Sequence, residues 1–119
     1  KSSIVFISSI GSLLGFPGNP AYQTSKAGLN ALVRSLSVDL SAYGIRVNFL
    51  NLGYIKAPMS KDSYLNQEMK NARSERTILN RWGEINEVIG PVIFLLSDES
   101  SYITGTGINV DGGWLAKGL

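Results

Sequence analysis

The chain opens on an apolar run. Ser3, Ile4, Val5, Phe6, Ile7, Ser8 and Ser9 show no alternation, the pattern of a strand buried on both faces of a parallel sheet. A loop with Gly11, Gly15, Pro17 and Gly18 follows. Asn19-Pro20 then reads as a helix cap with proline at the first helical position. From Ala21 to Tyr43, Leu29, Leu32, Val33, Leu36 and Leu40 recur at steps of three and four and predict one buried helix stripe. Gly44 stands where a left-handed cap ends such a helix. Residues 45–52 alternate and predict a second strand, so the helix becomes a βαβ crossover. Residues 54–82 are polar, with helix expected over 61–76, and read as a lid over a site. A further helix is predicted over 85–97, with Ile85, Val88, Ile89, Val92 and Leu96 inward and a kink or late start at Gly90-Pro91. A short strand follows at Ile108–Asp111. The order β-α-β-lid-α-β predicts an α/β fold, a doubly wound parallel sheet of Rossmann type.

Composition narrows the chemistry. The 119 residues are 44% hydrophobic and 17% charged, enough apolar content for one core. No apolar run approaches the roughly 20 residues of a membrane span, so no membrane partner is expected. There is no Cys and no His. Disulfides, thiol catalysis and Ser-His-Asp triads are excluded, and no metal site is expected. The net charge of +2 is scattered, which gives no footprint for nucleic acid. The missing cysteines and the lack of a targeting segment fit a cytoplasmic protein.

Proton chemistry therefore falls to Tyr, Lys, Ser, Asp or Glu. Tyr22 and Lys26 are four apart on the predicted helix and share a face. A phenol titrates near pH ~10, and an adjacent cation favours its charged form, which suits general acid–base work. The same spacing also describes a helix tyrosine packed on a sheet beside a solvated lysine. Ser8 and Ser9 close the first strand, where ligands bind in parallel sheets. Ser8 reads as a turn hydroxyl; Ser9 can be brought to Tyr22 by the glycine-rich loop between them.

These segments, taken in order, resemble the compact short-chain dehydrogenase/reductases: Ile7-Ser8-Ser9, Gly11, Gly15, Pro17-Gly18, and Tyr22 through Lys26 to Leu29. Gly44 to Asn48, Gly53-Tyr54-Ile55, Arg81-Trp82-Gly83, Phe94 to Asp98, Tyr102 to Gly105 and Val110 to Gly113 continue the match. The resemblance implies an oxidoreductase that interconverts an alcohol and a carbonyl with NAD or NADP. It implies Tyr22 as acid/base, Lys26 as the group that favours the phenolate and bonds the nicotinamide ribose, and Ser9 as the residue that orients the substrate oxygen. Gly53 and the backbone of Ile55 are implied in cofactor contact. The three-residue gap between Tyr22 and Lys26 fits carbonyl chemistry better than the family's enoyl reductases, which use a longer gap. The polar lid, with Lys56, Arg73 and Arg76, points to a sugar or sugar acid; a solvated helix face explains those charges equally well. The family also implies a tetramer built on the long helix, with Ser35, Val38 and Ala42 at the contact.

Two departures stand out. The family's Pro-Gly-x-Ile-x-Thr loop is here Leu52-Gly53-Tyr54-Ile55-Lys56-Ala57, which predicts a less rigid turn and weaker or altered cofactor binding. The glycine-rich pyrophosphate loop and an upstream catalytic Asn are absent, and Gly105-Thr106-Gly107 has no following helix to replace that loop. Residues 1–119 are thus expected to form the C-terminal, catalytic half of the domain, inactive alone. A non-catalytic dinucleotide-binding or interaction protein of the same fold is the alternative.

Overall fold

The computed structural model describes residues 1–118. Three parallel strands, β1 (Ser2–Ser9), β2 (Ile45–Leu52) and β3 (Gly107–Val110), lie in the order β1-β2-β3. The helices are α1 (Pro20–Leu40), α2 (Lys61–Leu65), α3 (Gln67–Arg76) and α4 (Asn86–Leu96). Ser9 pairs with Leu52 and Leu52 with Val110, so the three carboxyl ends are level. The chain leaves all three strands at one rim, where open α/β sheets bind ligands.

One side of the sheet is covered by α1. Val33 packs with Val47 and Phe49, flanked by Phe6, Leu36, Leu40 and Ile45. Gly107 faces Phe49 in the register, and the ring occupies the space a Cβ there would need. α1 ends at Leu40, and a 3-10 turn over Ser41–Tyr43 leads to Gly44 at φ 69°, the expected left-handed cap. Pro20 does open the helix, but Asn19 makes no side-chain capping bond. Leu32, expected inward, is exposed.

Two burial expectations are corrected. β1 pairs only with β2, so among the described residues it is an edge strand, and Ile4 and Ile7 are exposed. The enclosed strand is β2, where Val47 to Asn51 are all buried. Its apparent alternation comes from asparagines buried inside the fold. Asn48 donates to the Ile103 carbonyl at 2.9 Å and accepts from the Thr106 N–H at 3.2 Å. In α4 the inward residues are Leu95, fully buried, and Val88 and Val92, half-buried, while Ile85, Ile89 and Leu96 are exposed. That helix is apolar nearly all round, so its periodicity does not single out a face. It begins before Pro91 and runs through it, so no late start occurs.

Arg46 fastens α4 to the sheet. Its guanidinium donates to the Ser100 hydroxyl (2.8 Å) and to the carbonyls of Ile103 (3.1 Å), Leu95 (3.1 Å) and Ser97 (2.9 Å). The last two are carbonyls that the helix end leaves without donors. Arg46→Ala removes all four bonds and leaves the Leu95 carbonyl to the Ser3 and Ser100 hydroxyls and the Ser97 carbonyl to Ser100. We expect it to lower unfolding free energy by about 2 kcal/mol in urea titrations, and a loss under about 0.5 kcal/mol contradicts this anchoring role.

Candidate active site

At the end of β1 the extended Ser9 (φ −148°, ψ 153°) caps a 3-10 turn over Ile10–Ser12: its Oγ accepts the Gly11 N–H at 3.0 Å. That bond uses an oxygen lone pair and leaves the hydroxyl proton free to donate. A Cβ added to Gly11 would lie 3.3 Å from Ser9 Oγ and 3.6 Å from Tyr22 Cε1. Ser9 and Tyr22 thus flank one point, and the missing side chain of residue 11 keeps it open. Tyr22 and Lys26 are half-buried in the first two turns of α1. Lys26 Nζ donates to the Ile7 carbonyl at 3.0 Å and lies 5.8 Å from the Tyr22 ring centre. The buried Ser8 hydroxyl donates to the Lys26 carbonyl at 3.4 Å, so it ties β1 to α1.

Behind the turn lies a chain of amides that the sequence did not reveal. Asn30 Nδ2 donates to Ser12 Oγ (2.7 Å) and Asn51 Oδ1 (3.1 Å), and Asn51 Nδ2 donates to Asn109 Oδ1 (3.0 Å). Polar residues on α1, β2 and β3 read as surface positions until the fold stacks them.

The second wall follows β2. Gly53 N–H donates to the Val110 carbonyl at 2.9 Å, and a Cβ at 53 would fall 2.7 Å from Asp111 Cα. Only glycine fits this approach of two backbones. Gly83 N–H donates to the Tyr54 carbonyl and Lys56 N–H to the Gly83 carbonyl, both at 2.9 Å. Ser60 Oγ donates to the Ile55 carbonyl at 2.6 Å. A sequence reading of the loop alone predicts slackness; the strap to residue 83 and the Ser60 hydroxyl supply anchors in place of proline. Neither was singled out for this role in the sequence, because both partners are distant or ordinary residues.

Ser9, Tyr22, Lys26, Gly53 and Ile55 all line one cleft of about 710 Å³. A smaller cavity of about 240 Å³, bounded by Tyr54, Arg81 and Asp111, contains none of Ser9, Tyr22 and Lys26. The cleft residues suit a flat ring carrying an amide: Ile55 offers backbone polar groups on one wall, and Lys26 retains ammonium donors beyond the one given to Ile7.

α2 and α3 fulfil the helical expectation over 61–76 and rest on aromatic rings. Tyr54 stands 5.1 Å from Trp82 and 5.0 Å from Trp114, and Tyr64 is 5.4 Å from Trp82. Lys56 and Lys70 each sit 4.7 Å from the Tyr64 ring centre, and Arg73 4.8 Å from that of Tyr54. Lys56 also pairs with Glu84 at 2.5 Å, the main cause of its raised pKa.

Arg81 clamps Glu87 with two bonds of 2.8 and 2.7 Å. Those bonds, then the Glu84 N–H at 2.8 Å, push the Glu87 carboxyl down to about 2. A depressed carboxylate contributes stability above its unfolded value of roughly 4.3 and loses it as pH falls through the folded value. Wild type should therefore lose melting temperature faster than Glu87→Gln between pH ~4.5 and ~2; parallel melting curves would rule out the linkage.

Residues 1–115 match the family model described as enoyl-(acyl carrier protein) reductase. L-rhamnose 1-dehydrogenase (NADP(+)) of Thermoplasma acidophilum is 38% identical over 94% of this chain and 44% of its own length. 3-Oxoacyl-[acyl-carrier-protein] reductase of Thermotoga maritima is 39% identical over 95% of this chain and 45% of its own. Among solved structures, a gluconate 5-dehydrogenase from Burkholderia cenocepacia in complex with NADP and tartrate superposes with a TM-score of 0.94 at 30% identity. It covers 97% of this chain and 45% of that one. The chain spans less than half the length of the curated relatives it matches. With the parallel sheet and the match over nearly its whole length, the chain belongs to the short-chain dehydrogenase/reductase family.

Proposed function

We propose that the chain carries the catalytic half of a nicotinamide-dependent oxidoreductase that interconverts an alcohol and a carbonyl on a small polar substrate. The observation that carries this reading is the convergence of Ser9, Tyr22 and Lys26 on the cleft that Gly53 and Ile55 also line. The relatives' names, a rhamnose dehydrogenase and a gluconate dehydrogenase, support a sugar or sugar acid. The three-residue spacing of Tyr22 and Lys26 supports carbonyl chemistry in spite of the family model's enoyl description.

In this reading Ser9 donates its free hydroxyl proton to the substrate oxygen and fixes the oxygen beside Tyr22. In oxidation Tyr22 takes the alcohol proton as the carbonyl forms; in reduction it returns that proton to the same oxygen. Lys26, held by Ile7, presents its remaining N–H donors to a ribose hydroxyl. Its ammonium lies 5.8 Å from the Tyr22 ring centre, beside the phenol that exchanges the proton. The backbone at Gly53 and Ile55 would hold the carboxamide. NAD or NADP, when bound, supplies the hydride acceptor or donor at ring carbon. Tyr54, backed by Trp82, and Arg73 of α3 line the site from this side, and the segment takes the role of a lid.

The exposed Ser35 and Val38 of α1 and Ala42 of the turn that follows it support a tetramer packed along that helix, and the absence of cysteine supports a cytoplasmic setting. Among the described residues no helix is long and apolar enough to cross a membrane. The test is absorbance of reduced nicotinamide when the full protein is offered sugars, sugar acids and simple alcohols with NAD or NADP. Turnover of one class upholds the reading; cofactor binding with no turnover of any class favours the non-catalytic alternative.

A further inference from the structure

The chemistry above leaves one charged group on the cleft wall without a role. Arg73 lies in the last turn of α3, half-buried, and lines the same cleft as Ser9 and Tyr22. Its guanidinium carbon sits 4.8 Å from the centre of the Tyr54 ring. That contact holds a guanidinium while leaving N–H groups available for a ligand. The ion pairs among the described residues are Lys56 with Glu84 and Arg81 with Glu87, so Arg73 belongs to neither. Among the described residues no Asp or Glu lines the cleft; its charged residues are Arg73 and Lys26.

The C-terminal end of a helix favours any cation, which accounts for Arg73 and Arg76 alike. It does not account for their different surroundings. Arg76 is exposed, lies 5.7 Å from the Trp114 ring centre and is not on the cleft wall, whereas Arg73 is. A guanidinium without an acidic partner, in a largely apolar cleft, is a site for a planar anion. The bidentate fork fits a carboxylate, and the partial burial strengthens the pairing beyond that of a surface contact.

Resting on the oxidoreductase reading, we infer that Arg73 binds the carboxylate of a hydroxy-acid substrate and so selects acids over neutral sugars at this cleft. The substrate's reacting oxygen then lies at Ser9 and Tyr22 while its acid group is held by α3.

The full protein is titrated calorimetrically with D-gluconate and with neutral L-rhamnose, as wild type, Arg73→Gln and Arg73→Lys, and turnover of both is measured with NAD and NADP. Gluconate affinity should fall about 30-fold in Arg73→Gln and recover in part in Arg73→Lys. The ratio of kcat/KM for gluconate to that for rhamnose should fall by a similar factor. Rhamnose binding by the variants reports that they are folded. Failure of wild type to bind gluconate, equal losses for both ligands, or a matching rise in the KM of the cofactor (an arginine serving its phosphates) overturns the inference. Arg73-dependent gluconate binding with no hydride transfer to either cofactor leaves the anion site standing and removes the oxidoreductase reading.

Discussion

Tyr22→Phe in the full protein should lower turnover by roughly 10²- to 10⁴-fold while leaving cofactor affinity within about threefold of wild type. The substitution removes one oxygen. It keeps the ring that lies beside Gly11 and 5.8 Å from Lys26 Nζ, so the helix and the ammonium remain in place. On the proposed mechanism, what is lost is the group that carries the proton of the substrate oxygen. With Ser9 still donating, the oxygen is polarised but has no partner to exchange a proton with, and the remaining rate is that of water or a distant base. Stopped-assay rates with either cofactor, together with fluorescence titration of reduced nicotinamide, separate the two effects. Turnover within tenfold of wild type means that another group moves the proton, and the roles given to Lys26 and Ser9 fall with that of Tyr22. Ser9→Ala is the gentler companion. It removes one donor and the cap of the Ile10–Ser12 turn, so it should cost rate and some stability together.

The legibility of this chain divides along a physical line. Local signals fixed the elements: the stripe in α1, the left-handed Gly44, the proline opening the helix and the helical stretch between 61 and 76. The shared face of Tyr22 and Lys26 follows from the helix period, whereas Ser9 is set beside them only by the glycine-rich loop and by the family resemblance. Properties created by pairing distant segments were not legible. β1 reads as an enclosed strand because its side chains are apolar, yet burial depends on which elements lie beside and above it, and that is not a property of its eight letters. The asparagines of β2 read as outward positions because polarity is the usual marker of exposure. Here Asn48 and Asn51 are buried, Asn48 satisfied by Ile103 and Thr106 and Asn51 by Asn30, Ser12 and Asn109, all far from them in sequence. The same reasoning explains α4, whose apolar residues on several sides leave its period without a preferred face. The strap between Gly83 and the 54–56 loop also escaped, since a lone glycine carries no sign of the partner it approaches.

That strap and the close approach at Gly53 yield the second large effect. Gly53→Ala should destabilise the full protein by about 2 to 3 kcal/mol and weaken nicotinamide binding at least tenfold, whereas Gly83→Ala should cost about 1 kcal/mol. Both added methyl groups meet a neighbour too closely, but the neighbours differ. At 53 the obstacle is Asp111 Cα at 2.7 Å, a backbone atom held by the Gly53–Val110 bond and by the Asp111 carboxylate, which accepts the N–H groups of Gly113 and Leu115 at 2.9 Å. Neither backbone can rotate away, so the ends of β2 and β3 must part, and the loop carrying Ile55 moves with them. At 83 the obstacle is the Ile55 Cδ1 methyl at 2.5 Å, the far end of a side chain that can change rotamer without disturbing the Tyr54 and Lys56 backbone bonds. Urea titrations read the stability difference, and fluorescence titration with reduced nicotinamide reads the loop. Equal losses from the two variants would mean that the loop is held by its side-chain packing, and the backbone junction at residue 53 would lose its place in cofactor binding.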